Sequence, residues 1–187
     1  SNKRCRRCDA LDETIAHGFC LCNFSSKFWL ARHNAVASFI ATRLRRDIDC
    51  EVTIDTESVF TTSRLRPDLQ VKIPSKSSIF LIDIKCSYEK EDNIDRVNEA
   101  NLFHYSDLIK SIQAAWSGWK VSCHTIVVGI PGAWPKLSTD ALEKLGLNDK
   151  QIKFIAKHCI KSNIKWCSAQ WQYHKNGIAP DTESLKS

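Results

Sequence analysis

Residues 78–86 read Ser-Ile-Phe-Leu-Ile-Asp-Ile-Lys-Cys. Ile79–Ile82 form an unbroken apolar run of strand-forming residues, so the segment reads as a buried β-strand with Asp83 and Lys85 near its end. Strand side chains alternate with a period of two, which puts both charges on one face of the sheet. Such a pair is either a solvated strand end or part of a built site, and the rest of the chain has to decide between them.

The flanking pattern defines the class of fold. Ser25 and Ser26 are the expected caps of a helix reaching about Arg46, with Trp29, His33, Val36, Ile40 and Leu44 as its inward stripe. Strand-like runs follow at 51–55, 66–73 and 78–86, and Pro74-Ser75-Lys76-Ser77 reads as the turn of a hairpin between the last two. A second helix is expected over 93–116, with the stripe Ile94, Val97, Asn101, Tyr105, Leu108 and Ile112. The apolar run 121–130 reads as a strand stopped by Pro131-Gly132, and 139–145 and 148–173 read as helices. Helix, three strands, helix, strand, helices is an α/β order, with a central mixed sheet flanked by helices. A length of 187 residues suits one such domain plus a small appendage.

The appendage is residues 1–24, which lack helix or strand periodicity but hold four of the nine cysteines. Cys5, Cys8, His17 and Cys22 form C-x2-C-x8-H-x4-C. A C-x2-C pair offers two thiolates from one tight turn, and the later His and Cys complete the four N/S ligands that zinc prefers. So short a segment cannot bury a core of its own, so bound metal would supply its folding energy. Cys20 is the open alternative to Cys22, although two thiolates one residue apart rarely serve one ion. Nine cysteines, an odd and scattered set, make a poor disulfide framework and point to a reducing compartment.

Charge is unevenly spread. Residues 1–46 hold nine Lys/Arg and three Asp/Glu, and the remaining 18 of each sign balance. A basic N-terminal part suits a phosphate-rich partner, although a solvated basic face has the same composition. No apolar stretch is long enough to span a membrane, and no signal peptide is expected at Ser1-Asn2-Lys3-Arg4.

The strand-end pair has a third member. Arg66-Pro67-Asp68 is separated from Asp83 by 14 residues, and the hairpin at 74–77 would bring Asp68 beside Asp83 and Lys85. Two carboxylates with the Ile84 carbonyl suit a hard divalent cation, Mg²⁺ or Mn²⁺. A nearby ammonium could stabilise charge on a phosphorane-like transition state. That combination fits phosphodiester hydrolysis.

With these residues in place the chain resembles the PD-(D/E)xK restriction-like endonuclease domain of site-specific non-LTR retrotransposons. That family carries a Cys-Cys-His-Cys knuckle upstream of an R/K-P-D motif, with an acidic residue roughly 12–15 residues on. Here the knuckle is Cys5/Cys8/His17/Cys22, the R-P-D is 66–68 and the I-D-I-K is 82–85, and the likeness spans about residues 5–130. It implies a knuckle over 1–24 and a PD-(D/E)xK endonuclease domain over 25–187. It also implies DNA as substrate, nicking that leaves a 3′-hydroxyl to prime reverse transcription, the element's RNA as a partner through the rest of the polyprotein, and a nuclear location. A homodimer is compatible with it; a membrane partner is not expected. Asp68, Asp83 and Lys85 are the catalytic candidates. Many relatives instead place a lysine on the following helix shortly before a Tyr, where this chain has Asn101 and Tyr105. Asn101, Tyr105, Arg66, Arg32 and His33 are therefore the candidate substrate contacts, with Arg32 expected to face outward. Lys153, Lys157, Lys161 and Lys165 step by four along the last helix as one basic ridge, and the six tryptophans read as core. The rival reading is a nucleic-acid binding module that keeps the fold and does not cut.

Overall fold

The computed structural model describes residues 4–9, 12–86, 94–130 and 132–178. Its centre is a four-stranded sheet in the order β1-β2-β3-β4, with β1 Glu51–Ile54, β2 Leu69–Ile73, β3 Ser78–Lys85 and β4 Lys120–Val127. The first three strands pair antiparallel, and β4 joins β3 in parallel. A parallel partner needs a crossover, supplied here by α2 Ile94–His104 and α3 Ser106–Ala115. The other helices are α1 Ser26–Asp47, α4 Lys136–Leu145 and α5 Asp149–Asn176. The chain is thus α/β, a mixed sheet flanked by helices.

The alternation of β3 sorts the core into two layers. Phe80, Ile82 and Ile84 pack with Val36, Ile40 and Leu44 of α1 and with Leu142, Ile152 and Ile155 of α4 and α5. Ile79 and Leu81 face the opposite way, against Leu108, Ile112 and Tyr105. Asp83 shares that second face, so the strand delivers a carboxylate toward α2. Phe28, Trp166 and Ala169 form a smaller cluster that ties α1 to α5.

Several expected boundaries shift. The single helix of 93–116 is two, broken at Tyr105 (φ −95°, ψ 4°), whose ring is buried under the sheet. The turn at 74–77 is a short 3-10 helix, Pro74–Lys76, closed by Ser77 with a left-handed backbone. Neither Ser25 nor Ser26 caps α1 through its side chain; the Ser25 hydroxyl donates to the Gly18 and Cys22 carbonyls instead. β2 begins at Leu69, β4 ends at Val127, and α4 starts as early as Lys136, just after Pro135. The expected helix start at Asn93 and strand stop at Pro131 lie outside the described residues.

Candidate metal centres

Cys5, Cys8, His17 and Cys22 present their ligand atoms within 4.8 Å of one another, an arrangement that could hold a zinc ion. The edges fit the ion. Cys5 Sγ and Cys22 Sγ are 3.8 Å apart, the spacing of about 3.8 Å that two Zn–S bonds make in a tetrahedron. Cys8 Sγ and His17 Nε2 are 3.3 Å apart. A short π-helical turn, His17–Leu21, carries the His, and the backbone turns extended at Cys22 so that its thiol points back. Cys22, not Cys20, is the fourth member. Burial raises the Cys22 thiol pKa to about 11, so the thiolate that zinc requires forms only when a cation offsets that burial.

The knuckle is docked on the end of α5. His174 is fully buried, with Nε2 3.7 Å from Cys5 Sγ and 3.2 Å from Glu13 Oε1. Arg7 donates to the His174 and Lys175 carbonyls at 2.6 and 2.7 Å, and Gln170 donates to the carbonyls of Gly18 and Phe19. A Cβ on Gly18 would stand 3.0 Å from the Trp171 ring, so glycine permits the close approach.

The second centre lies at the C-terminal end of β3, in a cavity of about 710 Å³ lined by His33, Asp68, Asp83, Ile84 and Lys85. Antiparallel pairing of β2 with β3 sets Leu69 against Ile82, which leaves Asp68 level with the strand end. Asp68 Oδ2 accepts the Ile84 N–H at 2.6 Å, and Lys85 Nζ meets Asp83 Oδ2 at 2.8 Å. Asn101 Nδ2 donates to the same Asp83 oxygen at 2.8 Å and to Thr125 Oγ1 at 3.0 Å, and the Tyr105 hydroxyl is 3.5 Å from Asp83 Oδ1. Burial, then the Asp83 charge, raises the Tyr105 pKa, so the phenol stays a neutral donor. His33 reaches in from α1, with Nε2 3.2 Å from Asp68 Oδ2 and 3.1 Å from the Ile84 carbonyl. The hydrogen bond to Asp68 lifts the imidazole above its usual pKa.

The structure brings together Asp68, Asp83, Ile84, Lys85, His33, Asn101 and Tyr105, and corrects Arg32. Arg32 does not face outward; it is 1% exposed. Its guanidinium donates to Cys167 Sγ, Gln170 Oε1 and the Phe19 and Cys86 carbonyls, and the residue lies in the wall of the cavity. Arg66 stays on the surface, bonded to the Asp55 carbonyl, and its own carbonyl is 3.5 Å from the Tyr105 hydroxyl. Lys27, Leu30 and Cys20 also line the cavity. Sequence reasoning passed over Lys27 and Leu30, although Lys27-x2-Leu30-x2-His33 is a run along one face of α1.

Asp68, Asp83 and the Ile84 carbonyl give this cavity its oxygen donors, beside the His33 imidazole, the Lys27 and Lys85 ammoniums and the Cys20 and Cys86 thiols. Carboxylate and carbonyl oxygens suit a hard divalent cation. No protein-family model matches the chain, and comparison with curated proteins gives no match.

Proposed function

We propose that this chain is a metal-dependent DNA endonuclease of the PD-(D/E)xK type that nicks a target to leave a 3′-hydroxyl, as in non-LTR retrotransposition, and acts in the nucleus. The observation that carries the reading is the meeting of Asp68 with Asp83, the Ile84 carbonyl and Lys85 in one cavity, with 14 residues between the two aspartates. Asp68, Asp83 and the Ile84 carbonyl would hold Mg²⁺ or Mn²⁺, which supplies Lewis-acid charge beside a scissile phosphate. Lys85 Nζ stands beside Asp83, placed to stabilise negative charge growing on phosphate oxygens. Asn101 and Tyr105 fix the Asp83 carboxylate from behind, and His33 fixes Asp68 and the Ile84 carbonyl. These groups position the catalytic ones. The products are a 5′-phosphate and a 3′-hydroxyl.

One observation favours the rival, a module that binds nucleic acid without cutting it. Asp83 Oδ2 already accepts from both Lys85 and Asn101, which satisfies it without a cation. Nicking of supercoiled plasmid with and without added Mg²⁺ or Mn²⁺ separates the two. The nuclease reading expects metal-dependent nicking, lost by about 10³-fold or more in Asp68→Asn and Asp83→Asn, with DNA binding kept within about twofold. Normal nicking by Asp68→Asn sinks it.

A further inference from the structure

Helices α1 and α5 pack side by side, and apart from one terminal aspartate on each, Asp47 and Asp149, their charges are of one sign. Residues 26–46 and 150–176 contain eleven Lys/Arg and no Asp or Glu. The two acids that flank them, Asp47 and Asp149, are paired with Arg43 and Lys153. Between the helices runs a groove of about 830 Å³, with Ala31, Ala35 and Ser38 of α1 on one side and Lys161, Ser162 and Lys165 of α5 on the other. Among the described residues no carboxylate lines it. At one end His158 stacks flat on Phe39, with ring centroids 3.5 Å apart and planes 10° from parallel.

This groove adjoins the Asp68–Asp83 cavity across a single helix. Leu30 and His33 of α1 line the cavity, and Ala31 and Asn34, each one residue on, line the groove. Small side chains on the α1 wall allow a backbone to approach closely. An unbroken positive field favours a polyanion, because each neutralised phosphate releases counterions. Lysines with aromatic faces are also how proteins hold a single strand without reading its sequence.

We infer that the α1–α5 groove holds the sugar-phosphate backbone of the DNA strand beside the cleaved bond, with Lys161 and Lys165 at its phosphates and the Phe39–His158 stack at its end. The identity of the strand rests on the nuclease reading; the groove's affinity for nucleic acid does not. The test uses the full zinc-loaded chain without added Mg²⁺ and a fluorescein-labelled single-stranded DNA of about 20 nucleotides. Anisotropy is followed as salt rises from about 50 to about 200 mM. In Lys161→Gln/Lys165→Gln the affinity falls about tenfold and the slope of log K against log salt shrinks by about 1.4, the share of two phosphate contacts on a single strand. Lys110→Gln/Lys120→Gln, with the same charge change on other elements, binds within about twofold of wild type.

Wild-type affinity in Lys161→Gln/Lys165→Gln overturns the inference, and so does an equal loss in the control pair. Vesicles containing phosphatidylserine serve as a competitor; if the groove variant loses vesicle binding while keeping the oligonucleotide, the groove belongs to a lipid surface and the inference falls. A wild type that binds through Lys161 and Lys165 but never nicks removes the nuclease reading and leaves the groove standing.

Discussion

Arg32 shows how a single residue can be misread from a helical pattern. It lies one position from the stripe residue His33, where a long basic side chain usually reaches water. Here its guanidinium donates to two carbonyls, an amide oxygen and a thiol, with no carboxylate among them. Removing it leaves the Cys86 carbonyl and the Gln170 amide oxygen without this donor in the core, and the Phe19 carbonyl with Gln170 alone. Arg32→Ala should therefore cost about 3 kcal/mol or more, read as a lowered urea midpoint. His33 behaves differently. Its pKa is raised by Asp68, so the metal-free fold gains stability that is full below the unfolded value of about 6.5 and fades as pH rises through the higher folded value. Thermal melts without divalent cations should show that fading in wild type and not in His33→Gln. The position of Asp68 level with the end of β3 was legible because strand pairing and one turn fix it. The partners of Arg32 were not, because they come from Phe19, Cys86 and α5, whose docking no local pattern encodes.

Among the elements, β3 was the most legible: its apolar run, alternation and terminal charges all stand where the sequence places them. The crossover was less so. An apolar stripe continues through Tyr105 at helical spacing, and periodicity cannot see that Tyr105 leaves helical geometry to put its ring under the sheet. The short strand β4 carries its own titration. Burial, aided by Lys144, holds the His124 pKa down to about 4. The fold therefore keeps this imidazole neutral, at no cost above about pH 6.5, and loses stability as pH falls from there toward 4, because the unfolded chain takes up the proton first. His124→Asn should lose less melting temperature than wild type between those limits. Equal losses would assign the acid sensitivity to another group.

For the molecule as a whole, the ligand spacing in residues 5–22 marked a cluster that could hold zinc, but nothing in it foretold that the cluster would lie against α5. Cys5 is buried beside His174, and Trp171 covers Gly18. Zinc loss should accordingly loosen the last turns of α5 as well as the knuckle. Cys22→Ser should lose the single equivalent of zinc and open α5 to limited proteolysis, whereas Cys20→Ser should keep both the metal and the protection. Zinc content by absorption spectroscopy and the cleavage sites by mass spectrometry check the pair.

The clasp of Arg7 on the carbonyls of His174 and Lys175 has a topological corollary. Arg7 holds the N-terminal segment against the end of α5, so a peptide bridge from a residue after Lys175 to one before Cys5 could rejoin the polypeptide with the ligand set intact, and fresh termini be cut at Gly118, where the chain turns in open space. Such a circular permutant would thread the same architecture in a different order, with its metal clasp moved from an extremity to the middle of the chain.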